Sequence, residues 1–306
     1  MEEIVMTTPL QIWLNAFRPR TLLLVVAGAM SATAVSLPFG RNYVAMSLVF
    51  LTALSLQILS NISNDYGDTV HGADSKDRIG PLRTVQAGLI SRTTMRRAII
   101  VASMVSAIFG GLLVIYMYRM IGPLYFTGFL LVGGASIWAA IAYTASKNPY
   151  GYIGLGDLMV FVFFGLVMVI GGSWLMASTL VPQSAFVGAG LGFLSAAVLN
   201  INNMRDLQND KAEGKLTVAV RLGDGRARQY HLALIIAALA SLTTYTLLTP
   251  PSWTSWLWIL WSLPLIMHTQ KMRKAPPSEL DRFLPHLVLL TTAISATQLL
   301  AAIVAM

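Results

Sequence analysis

Two short stretches hold most of the groups in this chain that could do chemistry. The first runs from Asn61 to Arg83 and contains Asn64, Asp65, Asp68, Asp74 and Asp77 with Lys76, Arg78 and Arg83. The second begins about 140 residues later with Asn202, Asn203, Arg205, Asp206 and Asp210, followed by Lys211, Lys215 and Arg221. Asn64 and Asp68 are spaced i, i+4, as are Asp206 and Asp210, so on a helix each pair shares one face. Asp and Asn oxygens without His or Cys suit a hard cation, and Mg²⁺ typically takes one or two carboxylates together with substrate phosphates. Basic side chains alternate with the acids, as an organic diphosphate requires. A metal would bridge carboxylate and phosphate oxygens, while Arg and Lys take the remaining oxygens. Without a metal the aspartates would repel such a ligand. Solvated loop charge explains Arg92, Arg96, Arg97, Arg226, Arg228, Lys271, Arg273, Lys274 and Arg282. It does not explain two Asn–Asp clusters falling on the same face.

The elements that must position these groups are membrane helices. The chain is 56% hydrophobic and 11% charged. Its apolar residues come in continuous runs of about 17 to 25, long enough to cross a hydrocarbon core of about 30 Å. Continuous rather than alternating runs favour helices over a barrel. The expected fold is all-α and polytopic, a single domain over 1–306. Nine spans are read at about 22–39, 44–62, 97–117, 123–145, 155–175, 184–202, 231–249, 253–269 and 285–305. Before them, Thr8 caps a short amphipathic helix to Arg18 with Pro9 at its first position, which should lie along the interface. The competing reading, a signal peptide, fits poorly with the acidic start at Glu2 and Glu3 and with the many later spans.

Charge orients the spans. With the N-terminus in the cytoplasm, all but Arg41 and Arg119 of the 21 Lys and Arg fall on the inner side, as do all 13 acids. The formal charge of +8 is therefore a topological signal, and no nucleic-acid partner is read from it. Both polar stretches then leave cytoplasmic helix ends, of spans 2 and 6, and their loops should form a cap over a central cavity. Four spans separate them, a weak hint of duplication. The chain has no cysteine, which excludes disulfides and thiolate metal sites. His231, His268 and His286 stand at span ends with no metal-ligand spacing on a helix. His71 reads as a solvated loop residue.

Asn64-Asp65-x-x-Asp68 with Asp206-x-x-x-Asp210 resembles the two aspartate-rich motifs of the UbiA-type intramembrane prenyltransferases. The strings at 64–68, 77–83, 149–157, 199–203 and 220–223 are similar to those of the branch that prenylates 1,4-dihydroxy-2-naphthoate in menaquinone synthesis. The resemblance covers nearly the whole chain. It implies nine helices around a cavity open laterally to lipid, a polyprenyl diphosphate donor, the naphthoate as acceptor, Mg²⁺, and a bacterial inner membrane. Carried over by residue, it implies that Asn64, Asp68, Asp206 and Asp210 hold the metal, with Asp65 in a supporting or acceptor role. Catalytic work then falls on Asp65, Asp68, Asp206 and Asp210. Diphosphate oxygens fall to Lys76, Arg78, Arg83, Tyr143, Lys147, Arg205, Lys211 and Lys215, and the acceptor carboxylate to Arg18 and Arg20. Many relatives carry a further acid where this chain has Gly72, so Asp74 has no clear metal role. The glycines between Tyr143 and Asp157 are not a nucleotide fingerprint, because no strand precedes them. Two rivals follow from the same residues: a prenyltransferase acting on another aromatic such as 4-hydroxybenzoate, and a cation-coupled transporter with acids inside its spans.

Overall fold

A computed structural model describes residues 8–72, 83–250 and 252–306, and among these there is no strand. Helix α1 (Pro9–Phe17) begins in a capping box: the Thr8 hydroxyl accepts from the Gln11 N–H at 3.3 Å, and Gln11 accepts from the Thr8 N–H at 3.2 Å. Its C-cap, Arg18, is left-handed with φ 52°, and α2 (Pro19–Ser36) starts at the next residue. The chain continues through α3 (Tyr43–Val70), α4 (Arg92–Ala142) and α5 (Gly156–Ala177). Then come α6 (Ser184–Arg205), two short helices, α7 (Leu207–Ala212) and α8 (Val218–Leu222), and α9 (Asp224–Leu248). A 3₁₀ stretch (Trp253–Trp261) leads into α10 (Ser262–Lys274), and α11 (Phe283–Val304) closes the chain.

Seven of these helices, extended by their short 3₁₀ flanks, are long and apolar enough to cross a membrane. Expectation and structure differ in two places. Spans expected at 97–117 and 123–145 belong to the single 51-residue α4, which would be about 76 Å long if straight. It is not straight. Gly122, at φ 76° and ψ 170°, breaks the helix just before Pro123, and Tyr118 and Phe126 pack edge to face with centroids 5.0 Å apart. Eight residues of straight helix would separate them by about 12 Å, so the two limbs fold back on each other. The span expected at 253–269 divides between 3₁₀ and α winding and is not among the seven.

The outer faces are apolar and exposed. On α4, Val101, Met104, Ile108, Leu112 and Ile115 recur at helical spacing on the outside. A stripe of this kind faces lipid in a multi-pass membrane protein. Inside, polar pairs tie helices together: the Ser31 hydroxyl of α2 donates to Ser295 (3.0 Å) and Gln298 (3.2 Å) of α11. Helix α5 is wound as a π-helix over Phe161–Gly171, a form rare in long runs and common at functional sites. Gly165 allows this segment to press against α6. A Cβ there would sit 2.4 Å from the Gly188 carbonyl oxygen and 2.7 Å from the Gly192 Cα. We therefore expect Gly165→Val to force α5 and α6 apart and destabilise the protein by about 1–3 kcal/mol. Thermal unfolding in detergent measures this, and an unchanged melting temperature would show that the contact is not rigid.

Candidate active site

The helices enclose a cavity of about 1190 Å³. Along α3 its wall runs from Val49 to Asp68, a rise of about 28 Å. At the Val49 end the lining is apolar: Leu113, Val114, Phe129 and Leu175. At the other end it is Asn64, Asp68, Arg83, Asn202, Asn203, Arg205, Lys215 and Asp281. Phe163, Phe164, Val167 and Met168 of the π-helical segment line the side.

Each polar group is placed by its own element. Asp68 lies in the last turn of α3 and is 2% exposed. Its Oδ2 accepts from Arg83 Nη2 at 2.9 Å, and its Oδ1 accepts from the Tyr152 hydroxyl at 3.0 Å. Asn64, one turn earlier on the same face, accepts from the Thr144 hydroxyl at 3.0 Å. Gly67 makes this approach possible: a Cβ there would lie 2.4 Å from the Thr144 carbonyl carbon. Asp65 points into the following loop. Its Oδ2 accepts from the Thr84 N–H (3.0 Å) and hydroxyl (2.6 Å), and its Oδ1 accepts from the Val85 N–H (3.1 Å). Asp65 thus fixes the residues next to Arg83, and through them the guanidinium on Asp68.

The second motif is arranged differently. Arg205 donates from Nε (2.8 Å) and Nη2 (2.6 Å) to its neighbour Asp206, from Nη2 to Asn202 Oδ1 (2.6 Å), and from Nη1 to Asp281. Asp206 is buried and does not line the cavity. Asp210, in α7, does not line it either, whereas Lys215 does and lies 3.8 Å from Asp210 and 3.7 Å from Asp68. One ammonium therefore connects the two motifs.

Of the other residues expected at the site, Tyr143, Arg18 and Arg20 line the cavity, and Arg20 pairs with Asp281 at 3.7 Å. Lys147 and Lys211 are exposed and stand outside the cavity wall. Lys76 and Arg78, like Asp74 and Asp77, lie outside the described residues. None of His231, His268 and His286 lines the cavity. Three residues not anticipated do contribute. Tyr152 bonds Asp68, Thr144 bonds Asn64, and Asp281 pairs with both Arg205 and Arg20. Tyr152 lay inside a conspicuous Tyr–Gly string, yet its bond to a residue 84 positions away has no local signal. Tyr150, also in the wall, donates its hydroxyl to the Ala139 carbonyl at 2.7 Å, and burial pushes its phenol well above its ordinary value, so it stays a neutral donor.

The donor set fits a hard divalent cation. The Asp68 carboxylate and the Asn64 amide of the first motif and the Asn202 and Asn203 amides beside the second sit at one end of the cavity, and among the described residues no imidazole or thiolate lines its wall. Among the described residues no three acidic or imidazole groups converge into a closed metal cage.

This architecture, with paired acidic motifs over a membrane-embedded apolar cavity, defines a class. The chain belongs to the UbiA prenyltransferase family, whose model matches residues 21–294. It is 43% identical over 270 residues, covering 87% of each chain, to the 1,4-dihydroxy-2-naphthoate octaprenyltransferase of Escherichia coli (strain K12). It is 35% identical to the enzyme of the same description from Mycobacterium tuberculosis, over 79% of each chain. Its fold resembles that of a UbiA homolog from Archaeoglobus fulgidus bound to GPP and Mg²⁺, with a TM-score of 0.67, 16% identity, and coverage of 95% of this chain and 99% of that one.

Removing the Asp65 carboxylate would leave three buried donors without an acceptor. Each costs about 1–3 kcal/mol. Asp65→Ala should therefore speed amide hydrogen exchange at Thr84 and Val85, and unchanged exchange there would show that the loop is held by other contacts.

Proposed function

We propose that this protein transfers a polyprenyl group from an allylic polyprenyl diphosphate to 1,4-dihydroxy-2-naphthoate, releasing diphosphate and CO₂ and giving demethylmenaquinol. The observation that carries the reading is the meeting of Asp68 and Asp210 at Lys215, at the polar end of a long apolar cavity. Relatives at 43% and 35% identity, described as acting on this naphthoate, support the acceptor.

Asn64, Asp68, Asp206 and Asp210 would hold Mg²⁺, which when bound neutralises negative charge on the leaving diphosphate. The rest is done by the chain. Arg83 and Lys215 stand beside Asp68, where they can bind diphosphate oxygens as the allylic C–O bond breaks and the electron pair leaves with the diphosphate. The apolar wall of Phe163, Phe164 and Val167 shelters the allylic cation from water. Arg18 and Arg20, at the polar end, would draw in the carboxylate of the acceptor. The ring carbon bearing that carboxylate attacks the cation, and loss of CO₂ returns the carbon–carbon bonding pair to the ring.

Counting the limbs of α4 separately and adding the Trp253–Lys274 segment makes nine crossings. The N-terminus and the acidic motifs then face the cytoplasm, by the positive charge of the loops. The bilayer would be a bacterial inner membrane, and the loops after α3 and α6 would cap the cavity. The transporter reading loses support, because the acids crowd one end of the cavity instead of occupying mid-membrane positions.

Two experiments test the proposal. Purified membranes supplied with labelled polyprenyl diphosphate and Mg²⁺ should form product with the naphthoate, and prenylation of 4-hydroxybenzoate in its place would refute the acceptor. Asp68→Ala and Asp210→Ala should each lower turnover by about 10²-fold or more, comparable to removing one electrostatic contact to a transition state. Full turnover in either at saturating Mg²⁺ would refute the metal assignment.

A further inference from the structure

The cavity reaches into the seam between the two limbs of α4. Tyr118 and Phe126, each four residues from Gly122, pack together and fix the register of the limbs. Residues equally far from Gly122 therefore stand at matching heights. Below the aromatic pair, Val114 stands opposite Leu130, then Gly111 opposite Gly133 and Gly110 opposite Gly134, then Ala107 opposite Ile137. All of these line the cavity. Gly111 and Gly133 are each one heptad from an aromatic ring, about 10 Å along the limb and rotated from it by only about 20°. They thus share the face on which the limbs meet.

Close packing does not account for these glycines. A Cβ added at Gly111, Gly133 or Gly134 would meet no atom of the described residues within 4 Å beyond its own helix, unlike one at Gly165. Their level along the cavity is fixed by α3. A Cβ at Gly110 would lie 3.5 Å from Thr52 Cγ2, and Thr52 lines the cavity about 24 Å along α3 from Asp68.

We propose that this glycine-lined seam takes the distal isoprene units of a long donor and so sets the chain length that the protein accepts. The inference rests on the prenyl-transfer reading above and adds to it the residues that select the donor. With the diphosphate at Asp68, a two-unit chain of eight backbone carbons reaches at most about 12 Å, at about 1.5 Å per bond. It stops short of Thr52. An eight-unit chain is about four times as long and outruns the cavity wall, which ends at Val49. Its distal units need a place where facing side chains do not meet. The seam has one, bounded by Val114 and Leu130 on one side and by Ala107 and Ile137 on the other. Units lodged against these apolar groups leave water, and the hydrophobic effect holds them without directed contacts. Side chains at the glycine positions would fill that place and leave the polar end untouched.

The test is transfer by the purified full-length protein with Mg²⁺, the naphthoate and donors of two to eight isoprene units. Gly111→Leu and Gly133→Leu narrow the seam from opposite limbs. Each should lower kcat/KM for the eight-unit donor by about tenfold or more, the scale of a misfit in an apolar pocket. Each should leave kcat/KM unchanged for the shortest donor that the native protein uses, which also shows that the variant is folded. Gly111→Ala should shift the profile in the same direction by less. Gly128→Leu is the control. Its position on the same helix is as open but stands outside the cavity wall, so its profile should match the native one. A native chain-length profile in both leucine variants would overturn the seam, as would an equal loss with every donor. If the native protein transfers none of the donors to the naphthoate, the prenyl-transfer reading fails, and the seam with it.

Discussion

Carboxylates from two distant parts of the chain are held together at the end of an apolar cavity, and that repulsion must be neutralised. Asp68 and Asp210 would push apart in a region of low dielectric unless a cation lay between them. The fold provides one at each position: Arg83 on Asp68, Arg205 on Asp206 and Asp281, and Lys215 across Asp68 and Asp210. Surrounding features serve to keep these groups in place. Asp65 fixes the loop that carries Arg83, Gly67 lets the end of α3 reach Thr144, and Tyr152 ties the Tyr150–Ile153 turn to both motifs.

The cavity makes the same groups useful. A polar end attached to a long apolar interior matches an amphiphilic donor, with the charged diphosphate at the acids and the isoprenoid chain along the helices. Three sequence features open the space. Gly122 folds α4 back on itself, the α1–α2 junction at Arg18 brings two cations to the polar end, and the π-helical segment of α5 presents Phe163, Phe164 and Val167 to the side wall. The polar lining is confined to one end. On the proposed reaction, a cation formed among these apolar side chains would be kept from water while the leaving group stayed among basic residues.

Much of this could be read in the sequence, because local rules governed it. Apolar runs mark the helices, Thr8 and Pro9 mark the start of α1, and i, i+4 spacing puts Asn64 and Asp68 on one face. The reversal inside α4 is less legible: it occupies one residue, Gly122, so the sequence suggests two spans with a loop between them where the helix only breaks. Partners set by tertiary contact were also hidden. Nothing near Asp65 in sequence says that its oxygens are taken by Thr84 and Val85, and nothing near Asp281 says that it meets Arg205. Charge alone could not separate Lys215 from Lys211 and Lys147, which share its type and neighbourhood yet stand exposed. That distinction comes from the folding of the loop after α7 back toward Tyr152.

The central claim is that the two acidic motifs jointly hold a divalent ion against a diphosphate. Anomalous scattering from crystals grown with Mn²⁺ and an unreactive prenyl thiodiphosphate would test it most directly. The account predicts Mn²⁺ density between Asp68 and Asp210, with the diphosphate beside it and the isoprenoid chain running toward Val49. Mn²⁺ bound away from both aspartates, or a diphosphate held with no ion at either motif, would contradict it.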